Sequence, residues 1–159
     1  MHIGIKTKKI DITLEKQTKS ISQILSNHAS KGDIFFLNGE MGVGKTTFVR
    51  FLINNLQEKF NQQLTEVPSP TFNIVNEYKL KDLKIMHYDL YRIKDEAEFK
   101  NIGLFENEKN AILFIEWPEI IAKKPKKVIE LYFIYEENFN KRSLIIFSDY
   151  KKDLIDEFR

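Results

Sequence analysis

Apolar and polar positions along the chain change period several times, and each change marks an element. Ile10, Ile12 and Leu14 alternate with polar residues, the pattern of a half-buried strand. Ile21, Ile24, Leu25 and His28 then share one helical face, with Thr18 or Ser20 available as N-cap and Lys31-Gly32-Asp33 turning the chain afterwards. On that face His28 reads as core or half-buried packing. Ile34, Phe35, Phe36 and Leu37 form a short buried-strand run, and residues 48–60 have helical spacing. Residues 61–71 are polar, and Pro68 and Pro70 hold them extended. Alternation resumes over residues 72–78, Lys81-Asp82 turns the chain, and residues 83–88 form the second strand of the pair. Asp95-Glu96-Ala97-Glu98 has capping-box spacing and opens a short helix that Gly103 ends. Residues 111–115 are the longest purely apolar run. Residues 128–135 and 143–147 read as an antiparallel hairpin, after which Leu154, Ile155 and Phe158 dock a short helix. The order, strands interspersed with helices, predicts an α/β fold.

At 159 residues and 42% hydrophobic content, the chain suits a single domain, residues 1–159, with one substantial core. Charge is nearly balanced, with 25 basic against 23 acidic side chains, so net charge does not indicate a long-range field for nucleic acid. The pattern contains no clustered arginines and no basic stripe, which makes any RNA contact local or indirect. Cysteine is absent, excluding disulfides, thiolate zinc sites and cysteine nucleophiles. The first residues hold no apolar run of signal-peptide length, and nothing later approaches a membrane span. A cytoplasmic location, away from membranes, is expected.

The strongest chemical signal is Gly39-Glu40-Met41-Gly42-Val43-Gly44-Lys45-Thr46, which fits Gly, four residues, Gly-Lys-Thr. Strand, glycine loop and helix occur in the order that a phosphate-binding P-loop requires. Residues 39–47 are therefore the candidate nucleotide-binding segment. The glycines let successive N–H groups turn inward toward phosphate oxygens at the helix N-terminus. Lys45 would reach the outer phosphates, Thr46 would ligate Mg2+, and Thr47 could contact the inner phosphate. Thr47 stands where a dinucleotide fingerprint needs a small residue, which excludes that reading.

Two further acids stand at strand ends. Asp89, within His87-Tyr88-Asp89-Leu90-Tyr91-Arg92, suits a metal-binding or water-positioning role, and Arg92 could meet phosphate or pair with an acid. Glu116 closes the apolar run at 111–115, as a Walker B carboxylate completes an ATPase's Mg2+ site. Trp117 reads equally as a nucleotide neighbour and as a core-edge aromatic, and Ser69-Pro70-Thr71 equally as a γ-phosphate sensor and as a surface connection. The neighbourhoods of Thr18 and Arg142 are both candidates for adenine contact.

With these residues placed, the chain resembles the small bacterial ATPase family of tRNA threonylcarbamoyladenosine biosynthesis, TsaE. The resemblance is carried by the P-loop through Phe48, by Ser69-Pro70-Thr71-Phe72 through Asn76-Glu77-Tyr78, by the segment from His87 to Arg92, and by Ile115-Glu116-Trp117-Pro118-Glu119. It implies a mixed sheet between helices and an ATPase whose Mg2+ is ligated by Thr46 and Glu116, with Asp89 essential for turnover. It also implies work with the transferase subunit TsaD and its partner TsaB on the adenosine next to the anticodon, so that tRNA is met through the complex. Small-molecule kinases share the P-loop but need a lid of arginines, and Arg50, Arg92, Arg142 and Arg159 are scattered. A non-catalytic scaffold would not need Lys45, Thr46, Asp89 and Glu116 together.

Overall fold

The computed structural model describes residues 5–106 and 109–159. The first four residues, part of the stretch read as lacking a signal peptide, lie outside them. Two short strands, β1 (Ile5–Lys6) and β2 (Ile10–Asp11), lead into helix α1 (Glu15–His28). Strand β3 (Ile34–Asn38) leads through the P-loop into α2 (Lys45–Lys59). The hairpin β4 (Val75–Leu80) and β5 (Leu83–Asp89) precedes a 3-10 turn, Glu96–Lys100. Then come β6 (Ala111–Glu116), β7 (Ile129–Glu136), β8 (Lys141–Ser148) and α3 (Lys152–Asp156).

Among the described residues, eight strands form one mixed sheet in the order β1-β8-β7-β3-β6-β5-β4, with β2 also pairing β8. The central strands β7, β3, β6 and β5 run parallel, and β4 and β8 join them antiparallel. Because side chains alternate across a strand, each apolar strand feeds two cores. Phe35, Leu37, Ile112 and Phe114 face α1, α2 and α3, where they meet Leu25, Phe48, Leu52 and Ile155. Phe36, Leu113 and Ile115 face the other way. No α-helix is seen on that second face among the described residues; Leu90, Ile93, Leu104 and Ile120, from turns and loops, cover it. All six residues of β6 are buried, as expected for a strand covered on both faces.

Several element boundaries differ from those the pattern predicts. The alternating run at Ile10, Ile12 and Leu14 yields only a two-residue strand, and Leu14 is 52% exposed, because α1 starts directly after it. Neither Thr18 nor Ser20 caps that helix. Gln17 does so by accepting a 2.8 Å hydrogen bond from the Leu14 N–H, while Thr18 is buried inside the helix with its hydroxyl aimed at the Ile12 carbonyl. Helix α2 begins at Lys45 rather than at Phe48. The strand expected from Phe72 begins at Val75, since Ile74 has φ 67° and donates its N–H back to the Pro70 carbonyl. That turn leaves Phe72 86% exposed. Asp95 caps its helix through the Ala97 N–H at 3.0 Å, but the helix is a short 3-10 helix rather than an α-helix. His28 is half-buried as expected, 3.4 Å from Glu157.

The last residues are tied down by Asp33. Its carboxylate accepts from the Tyr150 hydroxyl at 2.8 Å and pairs with Lys151 at 3.0 Å, fastening the start of β3 to the chain end. Burial and the Asp33 charge both push the Tyr150 phenol well above its usual range. Among the described residues, no helix is long and apolar enough to cross a membrane. Leu52→Ala, which empties a fully buried position between α2 and the sheet, should cost about 2–5 kcal/mol in urea unfolding. Leu64→Ala, at a site 55% exposed, should stay within about 0.5 kcal/mol.

Candidate nucleotide and metal site

The P-loop turns at the C-terminal end of β3, the edge of a parallel sheet at which ligands are held. Gly44, the residue before α2, has φ 114°, and a Cβ there would stand 3.3 Å from the Arg142 guanidinium. A Cβ on Gly39 would come within 2.8 Å of the Phe133 carbonyl. The loop is held from within by Val43, whose side chain is fully buried in the helix-side core. Of the predicted segment, Met41, Gly42, Gly44, Lys45, Thr46 and Thr47 line a cleft of about 340 Å³. Gly39, Glu40 and Val43 shape the loop without lining that cleft.

The parallel register of β5 and β6 places Asp89 directly beside Glu116. Both carboxylates point to the α2 side of the sheet, where they meet the loop. The Thr46 hydroxyl donates to the Glu116 carboxylate, at 2.9 Å from Oε1 and 3.1 Å from Oε2. His87 Nε2 reaches Oε2 at 2.6 Å, with His87 fully buried. Asp89 accepts the Tyr91 backbone N–H at 3.0 Å and the Thr71 hydroxyl at 3.3 Å. Thr71 in turn lies 2.6 Å from the Ser69 hydroxyl, so the Ser69-Pro70-Thr71 loop belongs to the cleft.

Lys45 is 4% exposed; its ammonium donates to the Gly39 carbonyl and sits 3.4 Å above the Trp117 ring. Burial pushes its pKa down, while the charges of Glu116, Glu119 and Asp89 hold it up. Trp117 both lines the cleft and packs against the second core. Its backbone, at φ 58°, turns the chain out of β6, and its ring lies 5.0 Å from that of Tyr91.

Mg2+ favours octahedral oxygen ligands at about 2.0–2.1 Å, so adjacent ligands are about 2.9 Å apart. The Thr46 hydroxyl and Glu116 Oε1 have that separation and are both hard oxygen donors, so the pair fits this ion. Among the described residues, no cluster of three or more histidine and acidic side chains offers a rival cage.

Other expectations resolve differently. Arg92 is exposed, 5.9 Å from the Phe72 ring, and does not line the cleft. Thr18 and Arg142 are brought together at a smaller cavity of about 150 Å³ that shares Gly44 and Thr47 with the loop. Arg142 is fixed there by the Thr13 carbonyl at 3.0 Å. The expected lack of a basic surface also needs correction. Lys109, Lys123, Lys124, Lys126 and Lys127 converge on a groove of about 560 Å³ at the start of β3, because the N-terminal ends of the parallel strands are neighbours. It lies at the opposite end of the strands from the P-loop. His87 and Tyr91 entered the sequence reading only as members of the segment from His87 to Arg92, with no role of their own. The signal for His87 was its place two residues before Asp89, on the same face of one strand.

The model of the threonylcarbamoyl adenosine biosynthesis protein TsaE family matches residues 12–144. The proteins named tRNA threonylcarbamoyladenosine biosynthesis protein TsaE in Rickettsia conorii and Aquifex aeolicus are 36% and 34% identical. These matches cover 87% and 84% of this chain, and 77% and 92% of theirs. The protein of that name in Rickettsia felis is 39% identical over 67% of this chain and 60% of its own length. The crystal structure of Bacillus subtilis YdiB superposes with a TM-score of 0.73 over 99% of this chain and 97% of that one, at 22% identity, so it speaks to the fold alone. With the P-loop and both strand-end motifs inside the matched region, the chain belongs to the TsaE family.

Proposed function

We propose that the protein is a Mg2+-dependent ATPase acting in tRNA threonylcarbamoyladenosine biosynthesis through the transferase complex of TsaD and TsaB. The observation that carries this reading is the Thr46–Glu116 oxygen pair at 2.9 Å, placed beside the P-loop lysine and Asp89. Thr46 and Glu116 would hold Mg2+, which would neutralise phosphate charge as the terminal bond breaks. Lys45 would leave the Gly39 carbonyl for the outer phosphates. The N–H groups of residues 42–47 would receive the remaining phosphate oxygens at the α2 N-terminus. Adenine would lodge at the cavity between Thr18 and Arg142, which adjoins the loop. Asp89 would accept a hydrogen bond from an O–H of the attacking water and so orient it.

The chain offers no nucleophilic cysteine for acyl transfer. TsaD would supply that chemistry, and tRNA would be met through the complex. Thr71 and Asp89 join the 68–74 segment, with Phe72 and Asn73 exposed, to the cleft, so a terminal phosphate there would change the surface seen by the partners.

Three outcomes test the reading. Lys45→Ala should weaken ATP binding in calorimetry and abolish hydrolysis while the fold is kept. Undiminished affinity would remove the P-loop assignment. Thr46→Ala and Glu116→Ala should each lower Mg2+-dependent turnover on the order of 10²-fold, with smaller losses in metal-free nucleotide binding. Normal turnover in Glu116→Ala would move the metal to Asp89 or Glu119. Asp89→Ala should stop multiple rounds of tRNA modification in a reconstituted reaction followed by nucleoside analysis, with ATP binding and complex assembly retained. If the reaction runs equally well without this protein, the proposed role is wrong.

A further inference from the structure

His87 is a fully buried ring between Ile85 and Asp89 on one face of β5. Its Nδ1 has no hydrogen-bond partner among the described residues. A histidine kept for packing alone would leave that atom orphaned without return, and an apolar side chain of similar size would avoid the cost. The contact that accounts for the ring is the 2.6 Å one from Nε2 to Glu116 Oε2. An ionised carboxylate offers only lone pairs, so Nε2 carries the proton of that bond.

The bond makes the two oxygens of Glu116 unequal. Oε2 is engaged by His87, whereas Oε1 is the one nearer to Thr46. Mg2+ takes one oxygen from a carboxylate within a tight octahedron. Ca2+ accepts six to eight oxygens at about 2.3–2.6 Å and readily takes both oxygens of one carboxylate. A carboxylate that cannot swing both oxygens toward the ion disfavours the larger cation. We infer that His87 is a positioning residue that holds Glu116 to one-oxygen coordination and thereby sets the preference of the site for Mg2+ over Ca2+. This inference rests on the assignment of Thr46 and Glu116 as the metal-holding pair.

The test measures binding of a non-hydrolysable ATP analogue to the full chain in EDTA, in Mg2+ and in Ca2+. The gain in affinity on adding each metal is the readout, which a purely structural role would not move selectively. His87→Leu, which keeps bulk and removes the donor, should leave affinity in EDTA unchanged. It should reduce the Mg2+ gain about 10- to 100-fold, the usual cost of losing a partner that orients a metal ligand. The Ca2+ gain should fall less, narrowing the ratio. His87→Gln, whose amide can still reach Oε2, should restore most of the Mg2+ gain. Should His87→Leu fail to fold, His87→Asn, whose shorter amide stops short of Glu116, takes its place. In a Glu116→Ala background the loss on removing His87 should vanish. Equal Mg2+ and Ca2+ losses, or an unchanged Mg2+ gain in His87→Leu, overturn the inference while a reduced gain in Glu116→Ala leaves the metal assignment standing. An unchanged Mg2+ gain in Glu116→Ala overturns both.

Discussion

A carboxylate at 2% exposure is the constraint on which this site depends. Removing a charge from water is costly unless hydrogen bonds answer it. Glu116 finds its answers on two other elements, Thr46 on α2 and His87 on β5, so one side chain joins the P-loop helix to the sheet edge. The arrangement needs the observed strand register. A slip of one residue would turn Glu116 toward the opposite core and leave both partners facing apolar side chains. The same register sets Asp89 beside Glu116, so two acids share one sheet edge.

The two faces of the sheet do different work. Three helices pack on one face through Leu25, Phe48, Leu52 and Ile155, and this side gives the P-loop a rigid base. On the other face, turns and loops of residues 90–105 and 117–121 cover Phe36, Leu113 and Ile115. Trp117 leaves that layer at φ 58° and places its ring under the Lys45 ammonium and against Tyr91. The 68–74 segment hangs from the same edge, through the bond from the Asp89 N–H to the Ile74 carbonyl and from Asn76 to the Pro68 carbonyl. A rigid loop for phosphate thus sits beside segments held by a few hydrogen bonds, which is where a change of ligand is most readily felt at the surface.

Charge at the cleft is balanced by opposition. Burial disfavours the charged form of Lys45, and Glu116, Glu119 and Asp89 favour it. Its short contacts to the Gly39 carbonyl and the Trp117 face supply further stabilisation from a lone pair and a ring quadrupole. The lysine groove at the other end of the strands is remote from this balance.

Much of this protein was legible in its residues because the signals are local. A P-loop is a contiguous backbone device, and Gly39 through Thr47 specify its turn and the helix after it without help from distant parts of the chain. The apolar run at 111–115 identified its strand and the acid at its end for the same reason. Alternation failed at Leu14 and at Phe72, where the Gln17 cap and the Ile74 turn replaced strand pairing by local hydrogen bonds that periodicity does not encode. What only the tertiary structure decided are the pairings across long sequence gaps. Thr46 with Glu116, His87 with Glu116, and Lys109 with Lys123, Lys124, Lys126 and Lys127 meet because parallel strands bring their ends together, and Arg142 meets Thr13 because β2 pairs antiparallel with β8. Sequence patterns report which face of an element is apolar, while strand order and register choose which polar side chains at its end become neighbours.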